Sequence, residues 1–218
     1  MPLAASPPTK SSTNDSSAPH VTLAKLRALS AVRPTTFEQS LRIARQQAAL
    51  LLSTHRIDTG MVSIDIITEL PHVRPEWIPG QRLPSAGFWD TATRQWVIQL
   101  AYPDGWTQQR CAIAREYKHI LDYHCAAELY PGSTTVSSRH QAAQAADHFA
   151  AHLLVPDHLL RHAMDTGSSS VAELSAYFGV PKYMIRQHLS EIALDSPTSS
   201  RTRRDRSANS AATSGSAA

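Results

Sequence analysis

The segment from 138 to 156, SRHQAAQAADHFAAHLLVP, constrains the fold of this chain more than any other. Alanine has the highest helix propensity of all residues, and the segment contains six before Pro156 stops it. Its larger apolar residues recur at the helical period, and the small alanines let a second helix approach closely. The segment therefore predicts a central helix packed against other helices. The residues on its apolar face are Ala142, Ala146, Phe149, Ala150 and Leu153.

Both ends of the chain lack the large apolar residues that a core requires. Residues 1–22 and 195–218 are rich in Ser, Ala, Thr and Pro, a composition typical of disordered segments. We predict two tails, with one folded domain over 23–165 and a helix-turn-helix-like pair over 166–194. The net charge is +3, and part of the positive charge lies in the C-terminal tail, where it could bind an acidic partner or simply be solvated. The tail arginines are Arg201, Arg203, Arg204 and Arg206.

The region between the tails combines helical and strand patterns. An amphipathic helix is predicted over 36–56, whereas 62–69 fits either a strand or a short helix. The β-branched and aromatic segment QWVIQL, 95–100, predicts a strand, and GFWD before it predicts the other half of a hairpin. A helix follows over 107–123. We predict an α+β domain, mainly helical, with a small antiparallel sheet.

The helix over 107–123 contains Arg115, Glu116 and His119, one residue away from the zinc-binding motif H-E-x-x-H. In that motif, positions i and i+4 share a helix face, so two imidazoles reach one ion while the glutamate polarises the bound water. Taken alone, R-E-x-x-H is a weak signal, because ordinary amphipathic helices with charged surfaces produce the same spacing.

Two longer segments make the signal more specific. RCAIAREYKHILDYH, 110–124, and AADHFAAHLLVP, 145–156, together resemble the ImmA/IrrE family of zinc metallopeptidases. The resemblance runs from about 37 to 193 and includes LPSAGFWD, WVIQL and VAELSAYFGVPKYMIRQHL. It implies a zincin-like domain and site-specific proteolysis of a transcriptional repressor, which would relieve repression of a mobile element or a stress regulon. In such an enzyme, Glu116 would activate zinc-bound water, His119 would be a ligand, and WVIQL would bind substrate backbone by strand addition.

The chain departs from the family pattern at two ligand positions. The first zinc histidine of the family falls on Arg115, and the distal glutamate ligand falls on Ala143. A guanidinium has no lone pair to offer a metal, so two of three protein ligands are missing, and we predict that zinc is absent or weakly bound. Asp147 lies four residues after Ala143, and we predict that it pairs with Arg115 at the former zinc site.

Other histidines and acids leave alternatives open. His119, His140 and Asp147 could form a rearranged set of three ligands, which would keep the enzyme active. Asp122, one turn after His119, could orient the His119 ring with or without a metal. The remaining helical histidines are predicted to be surface or core-edge residues rather than ligands. They are His124, His148 and His152.

The segment from 169 to 193 predicts two short helices joined at Gly179, as in a helix-turn-helix. Lys182, Tyr183 and Arg186 would then be candidates for DNA contact, although a plain helical hairpin needs the same apolar positions. Whether the protein is an enzyme therefore stays open. The main hypothesis is a catalytically degenerate family member, a pseudoenzyme, that binds a repressor-type protein. The alternatives are an active zinc peptidase with a rearranged site and a DNA-associated regulator.

The location of the protein is also predicted. The chain has neither an apolar leader after a basic start nor a segment long enough to span a membrane, so we expect a cytoplasmic protein without membrane contact. Its two cysteines, Cys111 and Cys125, lie at opposite ends of one predicted helix, too far apart to form a bridge. We expect both to be small hydrophobic residues in a reducing compartment.

Overall fold

A computed structural model describes the chain over residues 18–30, 36–80, 85–101, 104–168 and 170–195. Most of the two predicted tails, including the four tail arginines, lies outside these ranges. Within them, the secondary structure consists of nine helices and three strands. The helices are α1 (Ala18–Ala28), α2 (Phe37–Thr54), α3 (Asp65–Thr68), α4 (Trp106–Asp122), α5 (Ala126–Leu129), α6 (Ser138–Leu154), α7 (Asp157–Asp165), α8 (Val171–Phe178) and α9 (Lys182–Asp195). The strands are β1 (Val73–Ile78), β2 (Ser85–Asp90) and β3 (Gln95–Ala101).

The alanine-rich helix α6 lies at the centre, in contact with both α2 and α4. Helix α2 begins with a capping box, in which Thr36 and Gln39 satisfy each other's backbone N–H groups. Helix α6 begins at Ser137, whose side chain accepts a hydrogen bond from the backbone of His140. The alanines of α6 that face its neighbours are fully buried, as close helix packing requires. Among the described helices, none combines the length and apolar character needed to cross a membrane.

The three strands form a mixed sheet in the order β1-β3-β2. β2 and β3 are antiparallel, as the hairpin pattern predicts, whereas β1 runs parallel to β3. The predicted class, a mainly helical α+β fold, is confirmed, but the sheet is not antiparallel throughout. Because β3 is paired on both edges, the prediction that WVIQL binds a substrate strand is wrong. One sheet face, with Trp96, Ile98 and Leu100, belongs to the main core with α4.

The helix-turn-helix-like end is confirmed as α8, a turn at Gly179, and α9. Gly179 has φ 59°, a left-handed conformation, and a Cβ there would lie 2.4 Å from the Arg110 guanidinium. The buried Arg110 of α4 donates hydrogen bonds to the carbonyls of Phe178 and Gly179 at 2.9 and 2.8 Å. Phe178 and Ile185 also belong to the same core as Phe149, so the pair packs directly on the rest of the domain.

Three local features differ from the sequence expectations. Helix α1 begins at Ala18, inside the predicted N-terminal tail, and its Leu26 is fully buried. The ambiguous segment 62–69 forms the short helix α3 rather than a strand. Helix α7 was not predicted as a separate element. It follows Pro156 directly, because proline stops α6 and is also well suited to helix starts.

Candidate functional site

Helices α4 and α6 bring together Arg115 and Asp147, the pair that the sequence predicts at the position of the family's zinc ligands. Arg115 of α4 and Asp147 of α6 form an ion pair, with 2.9 Å between Nε and Oδ1. The side chains are 39% and 38% exposed, so the pair is open to solvent on one side. The pKa of Asp147 is nevertheless raised, because the cost of partly burying its carboxylate exceeds the attraction of Arg115. The ion pair therefore occupies the position without strongly stabilising the charge of Asp147.

Glu116, the candidate catalytic base, faces strand β2. Its Oε1 accepts a hydrogen bond from the Ser85 hydroxyl at 2.7 Å. A Cβ at Gly87 would lie only 2.9 Å from its Oε2, so a glycine lets the strand come this close to the helix. β2 is an edge strand, and it is β2 rather than β3 that borders the candidate site.

His119 lies one turn beyond Arg115 and is partly buried. Burial lowers the pKa of its imidazole, and the nearby charges of Glu116 and Asp122 offset this only in part. A neutral ring keeps a lone pair for a metal or a proton. His140, however, is exposed in the first turn of α6, and the described residues do not bring His119, His140 and Asp147 within 4.8 Å of one another as potential ligands.

Asp122, expected beside His119, is held by other partners. Its carboxylate pairs with Lys118 at 2.6 Å and accepts a hydrogen bond from the Tyr130 hydroxyl. Lys118 is fully buried and also donates to the side-chain oxygen of Gln47 at 2.7 Å. Burial lowers the pKa of Lys118, and Asp122 counteracts the shift. Lys118 thus joins α4 to α2, and Asp122 joins α4 to Tyr130 just after α5, contacts that the sequence spacing alone did not reveal.

The donor set at this site does not fit the zinc that the family resemblance implies. Arg115 offers only N–H groups, and one of them already donates to Asp147. Ala143 offers no ligand atom at all. His119 remains as a nitrogen ligand, which is too few for the three protein ligands that a catalytic zinc site requires. No hydrolytic step through zinc follows from these residues.

The candidate DNA contacts lie at the start of α9. Lys182, Tyr183 and Arg186 are all exposed. Partial burial of the phenol raises the pKa of Tyr183, Cys111 and Asp147 add to the shift, and Arg115 opposes it. Tyr183 therefore lies near the ion pair of the candidate site, so α9 contributes to the surroundings of that site.

A second group of titratable side chains lies further along α6, where α7 and α9 meet it. His152 and His188 are buried and face Asp157, while His148 faces Glu191. The sequence predicts His148 and His152 at the surface or core edge and gives no expectation for His188. The i, i+4 spacing of His148 and His152 on one helix was the available signal, but their partners come from α7 and α9, far along the chain.

Comparisons with known proteins agree with this fold. A profile described as the IrrE N-terminal-like domain matches residues 72–190, which is more than half of the chain. A solved structure of a Mycobacterium tuberculosis transcriptional regulator is similar with a TM-score of 0.52 at 16% identity, over 78% of this chain and 51% of that one. The chain thus spans about half the length of that regulator, and so low an identity shows a shared fold alone. No curated protein matches. By its profile match, the chain belongs to the IrrE N-terminal-like domain family.

Proposed function

We propose that this protein is a catalytically degenerate, metallopeptidase-like regulator that binds a repressor-type transcription factor in the cytoplasm without cutting it. The observation that carries the proposal is the Arg115–Asp147 ion pair, which puts a cation where a peptidase of this family needs a ligand. A guanidinium near that position repels a dication and cannot be deprotonated to accept one.

The binding surface in this proposal is the edge of β2 beside Glu116. An edge strand carries unpaired backbone groups, which an extended segment of a partner can pair with. Two aromatic side chains of this strand, Phe88 and Trp89, are 44% and 43% exposed, so they can contact such a segment. The loss of a zinc ligand leaves this edge unchanged, which is why binding can persist without hydrolysis.

The other two hypotheses have less support. An active peptidase with ligands His119, His140 and Asp147 would require Asp147 to leave Arg115 and His140 to move inward from an exposed turn. A DNA-associated role has in its favour the exposure of Lys182 and Arg186 on α9. Two cations provide few phosphate contacts, however, and affinity for DNA depends mainly on the number of such contacts.

The proposal is tested by comparing binding with cleavage. A two-hybrid screen over the repressor-type transcription factors encoded in the same genome identifies a partner, which is then purified. Mixed with zinc and this partner, the unmodified protein is expected to bind it and leave it intact. The Arg115→His/Ala143→Glu variant restores both family ligands, so it should take up one more zinc per chain and cleave the partner.

The matched control is Arg115→His/Ala143→Gln, which has nearly the same shape but lacks the restored carboxylate. It should bind the partner and cleave it far more slowly. Zinc-dependent cleavage by the unmodified protein would show that the site is rearranged rather than degenerate. If none of the repressors binds, the proposed partner class is wrong. Peptidase activity of the Arg115→His/Ala143→Glu variant on another protein would not change that conclusion.

A further inference from the structure

Side chains from three helices meet at one carboxylate oxygen. Oδ1 of Asp157, at the start of α7, lies 3.3 Å from Nδ1 of His152 on α6 and 2.8 Å from Nε2 of His188 on α9. The His188 side chain is fully buried, and that of His152 is only 9% exposed. The three atoms all lie within 4.8 Å of one another.

The charge distribution suits a cation between these atoms. Burial lowers the pKa of His152, so its ring is neutral at neutral pH and has one lone pair. A metal would take the place of the protons that face Oδ1, and each ring would then carry its proton on its other nitrogen. The side-chain hydrogen bonds from His152 and His188 lower the pKa of Asp157, which is therefore ionised. The other oxygen of Asp157, Oδ2, pairs with Arg45, which fixes the carboxylate with Oδ1 directed at the histidines.

We propose that Nδ1 of His152, Oδ1 of Asp157 and Nε2 of His188 form a binding site for a divalent transition-metal ion of the zinc type. Two imidazoles and one carboxylate are a common ligand set for zinc. In a tetrahedral site with bonds of about 2.0 Å, ligand atoms are about 3.3 Å apart. The His152–Asp157 separation already has this value, and the His188–Asp157 separation must widen by about 0.5 Å.

The surroundings of the three ligands support a built site rather than a chance cluster. The rings of His148, His152 and His188 stand in a row, with centroids 4.4 and 4.7 Å apart. His148 in turn lies 3.5 Å from Glu191, which provides a second carboxylate at the border of the cluster.

A metal at this position would fasten the C-terminal helices to the domain. His188 lies in α9, whereas His152 and Asp157 lie on either side of the α6–α7 junction. At the turn between α8 and α9, Arg110 already donates a hydrogen bond to the carbonyl of Gly179. A bound ion would therefore fix α9 at a second point, beyond the Gly179 turn.

Cobalt titration tests the site. The full-length protein is stripped with a chelator and titrated with Co²⁺, whose visible absorption reports tetrahedral coordination. We expect saturation at one Co²⁺ per chain and displacement by Zn²⁺. His188→Gln and Asp157→Asn should each weaken binding by more than the roughly 10–100-fold that loss of an outer partner costs. His124→Gln, at an exposed histidine, is the matched control and should leave binding unchanged.

The location of the ion is tested by His119→Gln, which should also leave Co²⁺ binding unchanged. If this variant loses the metal, the ion sits on α4, and the proposal is overturned. The absence of a saturable Co²⁺ signal in the unmodified protein overturns it as well. Circular dichroism checks the folding of each variant. Should either ligand variant fail to fold, anomalous scattering from zinc-soaked crystals of the unmodified protein locates the ion directly.

Discussion

Asp147 and Asp157 lie on consecutive helices, and the protein shifts their pKa values in opposite directions. Asp147 has one cationic partner, Arg115, and its pKa is raised because partial burial has the larger effect. Asp157 interacts with His152, His188 and Arg45, and its pKa is lowered. The exposed fractions of the two side chains are 38% and 18%, so the less exposed carboxylate is the better stabilised one.

The difference shows that the number and geometry of partners, rather than burial alone, decide whether a carboxylate stays charged. A single, half-exposed ion pair adds little stability, so Arg115 can replace a ligand at the family site without a large effect on the fold. A carboxylate with several hydrogen-bonding partners is integral to the packing around it. The Arg115–Asp147 pair thus joins α4 to α6 by one contact, whereas Asp157 of α7 joins α2, α6 and α9.

The largest effect is expected from Asp157→Ala. Removal of the carboxylate leaves two buried imidazoles and Arg45 without their shared acceptor, which should cost about 2–4 kcal/mol of unfolding free energy. Urea unfolding in the presence of a chelator measures this change. Asp157→Asn keeps one oxygen as an acceptor and should lose clearly less. A cost for Asp157→Ala no greater than that of Asp147→Ala would remove the contrast between the two regions.

The pH dependence of stability should differ in sign between the two aspartates. The folded-state pKa of Asp157 is depressed, so its ionised carboxylate stabilises the fold above the unfolded-state pKa of about 3.9. This stabilisation is lost as the pH falls below that pKa. The folded-state pKa of Asp147 is raised, so its protonated carboxyl stabilises the fold at low pH. This stabilisation is lost as the pH rises through the raised pKa. Urea midpoints of the unmodified protein, Asp157→Asn and Asp147→Asn between about pH 3 and pH 6 check both signs. Parallel curves for the two variants would contradict the assignment.

The smallest effect is expected from Asp147→Asn. The ion pair is half exposed and the carboxylate is penalised by burial, so at neutral pH the unfolding free energy should change by less than about 1 kcal/mol. Added salt should change this difference little, since there is little net attraction to screen. Arg115→Gln is the matched variant on the other helix. If either substitution cost several kcal/mol, the ion pair would be a structural requirement rather than a replacement for ligands.

Local patterns in the sequence were sufficient for α2, α4, α6, the α8–α9 pair and the hairpin. The capping box at Thr36 and Gln39, the alanine period of α6 and the glycine turn at Gly179 are all properties of short segments. The same is true of the family resemblance, because R-E-x-x-H and the Ala-Asp-x-Phe segment each lie on one helix. The contact between Arg115 and Asp147 was predicted from that resemblance, which implies that α4 and α6 lie side by side.

Only the tertiary structure decided which distant segments meet. The parallel pairing of β1 with β3 made β2 the edge strand beside Glu116, and no local pattern specifies such a crossover. Asp122 contacts Lys118 and Tyr130 rather than His119, because the buried ammonium of Lys118 is costly without a carboxylate partner. His188 reached Asp157 across 31 residues because α9 packs on α6. Secondary structure follows from neighbours along the chain, whereas these contacts depend on how whole helices and strands are arranged, which no short stretch of sequence determines.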